Sequence, residues 1–233
     1  MRVDIAAKMW EFRKENVLFE GAQGALLDID SGTYPYVSSG ASGSYGAASG
    51  SGIGPRAIDK VYGVFKAYET RVGNGPMPTE FNNETESELC DYVRKTGNEY
   101  GVTTGRARRC GYLDLVALRY ACHVNSIDSL VLTHLDVYDE MDEIEACVAY
   151  DIDGKIVTDF PSSIPALNKA KPVLEKFKGW KSSLRPCGSY SKLPKAAKEY
   201  VEFIEDFTGT PVGIVSVGPD RNETYNRINP WKK

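Results

Sequence analysis

Four short strings in this 233-residue chain carry side chains of the types that grip small anions and heterocycles. The first is Glu20-Gly21-Ala22-Gln23-Gly24, a glutamine between glycines after an apolar run. A side-chain amide both donates and accepts, which suits a heterocycle edge; a plain tight turn fits the same string. The second is Thr103-Thr104-Gly105-Arg106-Ala107-Arg108-Arg109. Hydroxyls and three arginines beside a glycine make a clamp for carboxylate or phosphate, because a guanidinium offers two parallel hydrogen bonds. Leu113 opens the next helix, and a helix N-terminus adds its own attraction for anions. A solvated basic loop or a nucleic-acid patch has the same composition. The third is Thr133-His134-Leu135-Asp136 at the end of an apolar run. A carboxylate there can accept from N1–H and the 2-amino group of guanine, a donor pair that adenine lacks; an aspartate closing a turn or capping a helix is the plainer reading. His134 alone reads as structural. The fourth, Ser216-Val217-Gly218-Pro219-Asp220, supplies a second wall or another turn.

What is missing narrows the chemistry. The sequence has no GxxxxGK[ST] string, and Gly73-Asn74-Gly75 lacks a lysine, so nucleotide-type loops occur without a phosphate-cradling one. Two histidines, His123 and His134, and five cysteines with no CxxC pair argue against zinc and for a reducing, cytoplasmic compartment. Lys and Arg total 28 against 32 Asp and Glu, a net charge of −4. With a pI near 5.4, the chain is not a general binder of nucleic acid or anionic membrane. No apolar run is long enough to span a bilayer, and the charged first residues do not read as a signal peptide.

These loops need elements to hold them. Apolar spacing predicts a short helix over 1–13, a short buried strand running into a glycine turn over 17–24, a helix over 54–68 with a strand near its end, and a helix after Leu113. Residues 129–137 read as a β-like apolar run ending in polar residues, 211–220 as a strand running into a glycine turn, and 145–160 as a hairpin around Asp153-Gly154. A helix over 193–209 has Pro194 in its first turn and Gly209 at its C-cap. Residues 81–100 are polar and read as exposed. The Gly/Ser-rich stretch 39–54 fits a flexible linker, or a loop whose bare N–H groups approach an anion. Helices alternating with apolar strands give an α/β chain with ligand loops at the strand ends.

Long strings in this order resemble adenylosuccinate synthetase: VLFEGAQGALLDIDSGTYPYV, GSGIGPRAIDKVYGVFKAYETRVGNGPMPTE, GNEYGVTTGRARRCGYLD, LTHLDV and SVGPDRNET. They run from about residue 17 to 224 and match roughly the C-terminal half of that family; residues 1–16 are a poorly matched lead-in. The resemblance implies the C-terminal part of a mostly parallel-sheet, P-loop-like nucleotide-binding fold lacking its N-terminal phosphate loop. It implies a Mg²⁺-dependent ligase that condenses IMP with L-aspartate at the expense of GTP. Carried over by position, Gln23 orients the IMP 6-oxygen and Ser38 bonds the IMP phosphate in place of the usual threonine. Val72 lies against the ribose. Thr103, Thr104 and Arg106 close on the aspartate carboxylates, with Arg106 also bordering IMP, and Arg108 stands between aspartate and GTP. His134 and Asp136 meet the guanine, which Ser216 and Gly218 flank.

The sequence also departs from the family. His134 replaces a usual lysine, Ala107 a usual arginine, and Ser39-Gly40-Ala41 a Ser-Ser-Asn run. The family's phosphate loop, its acid and base catalysts and its Mg²⁺ ligands have no match in these residues. The expectation is therefore a chain that is inactive alone and works as a homodimer or with a missing N-terminal half. The alternatives are a non-catalytic purine-nucleotide-binding remnant, half of a split enzyme, or a related synthetase using a 2-aminopurine nucleotide.

Overall fold

The computed structural model describes residues 3–101 and 105–232. In chain order its elements are α1 (Ile5–Glu11), α2 (Tyr45–Ser51), β1 (Tyr62–Lys66), β2 (Glu69–Arg71), α3 (Ser87–Thr96), β3 (Arg109–Gly111), β4 (Leu113–Asp114) and α4 (Leu115–Asn125). There follow β5 (Ser129–Thr133), β6 (Glu143–Ile152), β7 (Lys155–Val157), α5 (Ile164–Lys169), β8 (Lys171–Lys178), α6 (Lys195–Thr208), β9 (Val212–Ser216) and β10 (Thr224–Asn226). One sheet has the order β1-β5-β9-β10, its first three strands parallel and β10 antiparallel. A second is built on the long β6, parallel to β4 and antiparallel to β7 and β8. A two-stranded ribbon joins β2 and β3. The architecture is α/β, but only the first sheet is mainly parallel.

The strongest sequence signals became the elements that hold this frame. In β5, Leu130 and Leu132 share one face of the strand and are fully buried, while Val131 and Thr133 on the other face are half-buried. The α6 stripe buries Ala197, Tyr200, Val201 and Ile204, and the helix stops at Gly209 in the left-handed region, φ 67°. Asp153 and Gly154 both take positive φ, the signature of the two-residue turn that matches strand twist.

Four expectations need correction. Residues 17–24 form no strand, because no neighbouring strand supplies partners for their backbone. Residues 54–68 carry the expected strand near their end, β1, but before it only a 3₁₀ turn at Pro55–Ala57 and no helix; the apolar spacing suits both, and pairing of β1 with β5 decides it. Residues 81–100 are not merely exposed: they contain α3, which buries Cys90 and Val93, and end near the fully enclosed Glu99. The stretch 39–54 is not a linker but a folded loop running into α2.

That loop's order comes from one carboxylate. Asp28 is fully buried. Its Oδ1 accepts from the N–H groups of Asp30 and Ser31, at 2.9 and 3.0 Å, and from the hydroxyls of Ser31 and Tyr45. Its Oδ2 accepts from the N–H groups of Ser42 and Gly43, at 2.7 and 2.9 Å. Burial would raise its pKa, but these donors, Tyr45 foremost, hold it far below the usual carboxylate range. Bare N–H groups do gather round an anion here, and the anion belongs to the chain itself.

Candidate functional site

The parallel strands β1, β5 and β9 end on one side of their sheet, where open α/β sheets hold ligands. Lys66 and Thr133, the last residues of β1 and β5, are in register there. Just beyond β5, His134 turns the chain with φ 58° and Asp136 lies in the following 3₁₀ turn, Leu135–Tyr138. At the end of the neighbouring β9, the Ser216 hydroxyl donates to the Gly218 carbonyl at 2.9 Å. A Cβ on Gly218 would stand 2.2 Å from Glu223 Oε2 and 2.9 Å from Arg185 Nε, so a larger residue there would push both of these side chains aside. Arg185 in turn donates from Nη2 to Asp136 Oδ2 at 2.9 Å. Asp136, Ser216 and Gly218 are thus brought to one edge.

A second group lines a cleft of about 370 Å³ between residues 71–75 on one side and residues 101 and 106–109 on the other. Val72, Arg106 and Arg108 are on its walls, and Val72 stays 71% exposed, an apolar side chain turned to the opening. Thr103 and Thr104 lie outside the described residues. Of the arginines, Arg109 is committed to structure: it grips Glu80 with two nitrogens and donates from Nη1 to the carbonyls of Gly73 and Gly75, at 3.1 and 2.9 Å. That ties the two walls together. Arg71, nearly buried, donates to the carbonyls of Asn74 and Pro76 and to Thr33 Oγ1 and the Tyr36 carbonyl. It fastens the loop before Ser38 to the cleft.

The two groups meet at a residue that sequence reasoning passed over. The Glu99 side chain is 1% exposed. Its Oε1 accepts from Lys66 Nζ at 2.6 Å and from the Tyr68 hydroxyl, and its Oε2 accepts from Arg108 Nη1 at 2.8 Å. Burial would raise its pKa, but the donors Lys66, Tyr68 and Arg108 win and hold it below the usual value. With the Tyr68 proton on Glu99, the phenol oxygen can only accept from His134 Nδ1, 3.3 Å away. Burial, with Lys66 next, pushes the His134 pKa down, so the neutral ring with its proton on Nδ1 is the form that fits. Glu99 therefore links the arginine cleft to the end of β5. Its only sequence signal was its place next to the basic loop, in a stretch whose polarity read as exposure.

Gln23 and Ser38 stand on the loop hung from Asp28. Gln23 is exposed with φ 75°, an uncommon backbone state for a side chain of this size. Ser38 donates its one hydroxyl proton to the Leu27 carbonyl at 2.8 Å, so it is not turned outward in this arrangement. Among the described residues, no group of three or more His, Cys, Asp or Glu is arranged to hold a metal. The Mg²⁺ implied by the resemblance finds no ligand set among those residues. Among the same residues, no helix is long and apolar enough to cross a membrane.

Comparison with known proteins bears on this geometry. A family model for adenylosuccinate synthetase matches residues 1–225. Adenylosuccinate synthetase of Clostridium perfringens is 54% identical over 210 residues, covering 90% of this chain and 48% of that protein. The Aquifex aeolicus synthetase is 50% identical over 218 residues, covering 93% and 50%. The structure of fully ligated adenylosuccinate synthetase from Plasmodium falciparum superposes with a TM-score of 0.90 at 41% identity, over 96% of this chain and 53% of that one. Succinoaminodeoxyadenylate synthetase of cyanophage S-2L, 19% identical with a TM-score of 0.52, shares the fold alone. The chain spans about half the length of the curated relatives it matches. The family model spans nearly the whole chain and relatives at about 50% identity cover nine-tenths of it, and the chain belongs to the adenylosuccinate synthetase family.

Proposed function

We propose that this chain supplies the base-reading surface, the aspartate clamp and part of the IMP site of a GTP-dependent synthetase that joins IMP and L-aspartate into adenylosuccinate. In that reaction the γ-phosphoryl group moves from GTP to the IMP 6-oxygen, giving GDP. The aspartate amine then attacks C6, phosphate leaves with the C6–O bond, and the amine sheds a proton. An amide-like oxygen is a poor leaving group until it is phosphorylated, which is why the nucleotide is consumed.

Each residue here has a binding or orienting task. Asp136 accepts from N1–H and the 2-amino group of guanine, between Ser216 and Gly218, with His134 beside them. Arg106 and Arg108, with Thr103 and Thr104, take the two carboxylates of aspartate. Gln23 orients the 6-oxygen, Val72 covers the ribose, and Ser38 reaches the phosphate once its hydroxyl leaves the Leu27 carbonyl. The observation that carries the reading is the placement of Val72, Arg106 and Arg108 on one cleft, joined through Glu99 to the strand end that bears Asp136.

The phosphate loop and the acid–base pair have no counterpart in these 233 residues, so the chain alone binds without turning over. Five unpaired thiols suit a reducing cytoplasm, and the working enzyme needs a phosphate loop and an acid–base pair from further synthetase chain, which pairing with a second copy of these residues would not supply.

The test is calorimetry of the 233-residue chain with GDP and ADP, together with an adenylosuccinate assay. GDP binding that outcompetes ADP and is lost in Asp136→Asn supports the base site. Equal affinity for the two, or none at millimolar nucleotide, rules it out. Adenylosuccinate made by this chain alone, above a blank, would overturn the claim that it does not turn over.

A further inference from the structure

Asp136 does not present a bare carboxylate. Arg185 arrives from a segment 49 residues further along and occupies one of its oxygens. Several contacts build this placement. Asp139 accepts from Trp180 Nε1 and from the Leu184 N–H, fixing the chain just before Arg185. The Tyr225 hydroxyl lies 2.9 Å from the Arg185 carbonyl and accepts from the Gly188 N–H, fixing the chain at and after it. Glu223 Oε1 stands 3.8 Å from Arg185 Nε, while Glu223 Oε2 is held by the Asp220 N–H. Gly218 has no side chain where one would strike both Glu223 and Arg185. The arginine is half exposed at 48%, while the Asp136 side chain is only 15% exposed.

We propose that Arg185 is the positioning residue that fixes the Asp136 carboxylate for a purine offering two donors, and so sets the preference for guanine over hypoxanthine bases. The inference rests on the base-reading role proposed for Asp136. A carboxylate oxygen has two acceptor sites, so Oδ2 can hold Arg185 on one and a ligand donor on the other. Arg185 restrains rotation about the carboxylate bond, which leaves both oxygens aligned for a ligand that donates twice. A ligand that donates once can follow a carboxylate that rotates, and loses less when the restraint goes. The guanidinium fits this task because its planar fork can face Asp136 and Glu223 together, which a point charge cannot.

The experiment is calorimetry of the whole chain with GDP and with IDP, which lacks the 2-amino group. Arg185→Ala is expected to weaken GDP about tenfold and IDP about twofold, so the preference falls roughly fivefold. Arg185→Lys should recover part of the GDP affinity and less of the preference. The melting midpoint should hardly move, because the side chain is half exposed. GDP affinity and preference that stay unchanged in Arg185→Ala, while Asp136→Asn still abolishes binding, overturn this role alone. Tighter GDP binding in Arg185→Ala also overturns it and makes the arginine a competitor for the carboxylate. No GDP binding by the unaltered chain removes the base-site reading and this inference with it. Should Arg185→Ala lose its cooperative melt, Arg185→Met keeps the stem packed and the same ratio decides.

Discussion

Asp28 and Asp136 are both short acids on loops beside the sheet, yet the chain treats them in opposite ways. Asp28 is completely enclosed and accepts six hydrogen bonds, four on one oxygen and two on the other. Asp136 keeps a side chain 15% exposed, with Arg185 on one of its oxygens. The first carboxylate has no acceptor capacity left and organises a loop that lacks both periodicity and a core. The second keeps acceptor sites in reserve at a strand end, where a ligand can use them. Glu99 stands between them in kind: it is as buried as Asp28, but the groups it holds, Arg108 and Tyr68, lead outward to the candidate site. Counting an acid's filled acceptor sites therefore separates the side chain that builds a site from the one that serves it.

The comparison is most exposed to failure at Asp28. Asp28→Ala would leave four backbone N–H groups and two hydroxyls looking for partners in a closed space. Unpaired buried donors cost about 1–3 kcal/mol each, part of which relaxation and water recover. A net loss of about 3 kcal/mol is expected, near 10 °C in melting midpoint for a chain of this length. A loss under about 1 kcal/mol in urea titration would show that the loop over 28–45 is held by something other than this carboxylate.

Glu99 comes next. Glu99→Gln keeps the shape and removes the charge, so Lys66 and Arg108 lose their common counter-ion and one amide N–H faces a donor. The expected loss is about 2 kcal/mol near neutral pH. Its pH dependence identifies the cause. The folded pKa lies below the ordinary 4.5, so the contribution of Glu99 is complete above 4.5 and is lost as acid carries the pH down through the folded value. The difference between the natural chain and Glu99→Gln should therefore shrink below about pH 4.5, when the two are compared by denaturant unfolding across pH. A difference that stays constant into acid would assign the effect to packing instead of charge.

The sequence exposed some of this and concealed the rest for physical reasons. Helix α6 and the Asp153-Gly154 hairpin were legible because their apolar periods and turn residues are local. The strings around Gln23, Arg106, Asp136 and Ser216 were legible because they are long and match one family in order. The fold of 25–45 was not, because its order comes from hydrogen bonds to Asp28 rather than from any repeat. The strand near the end of 54–68 was legible as β1, but the helix before it was not there, because Ile58, Val61, Val64 and Phe65 fit both periods and only the partner β5 settles the matter. Glu99 and Arg185 were invisible for a shared reason. A charged residue in a polar stretch looks solvated until the fold brings up a partner that is distant in sequence.

The smallest expected effect is the one that completes the contrast. Asp136→Asn should change stability by about 0.5 kcal/mol or less, since its partner Arg185 is half exposed and such pairs contribute little. The amide can still accept from Arg185 through its oxygen, so no donor is stranded. Its nitrogen, however, now points a donor at a base edge that also donates, and a site built for two donors rejects that arrangement strongly. Binding and stability should separate completely at this position, whereas at Asp28 they should fall together. If Asp136→Asn instead lowers the melting midpoint as Asp28→Ala does, the carboxylate is part of the frame, its open acceptor sites have no functional meaning, and the strand end loses its claim to read a base.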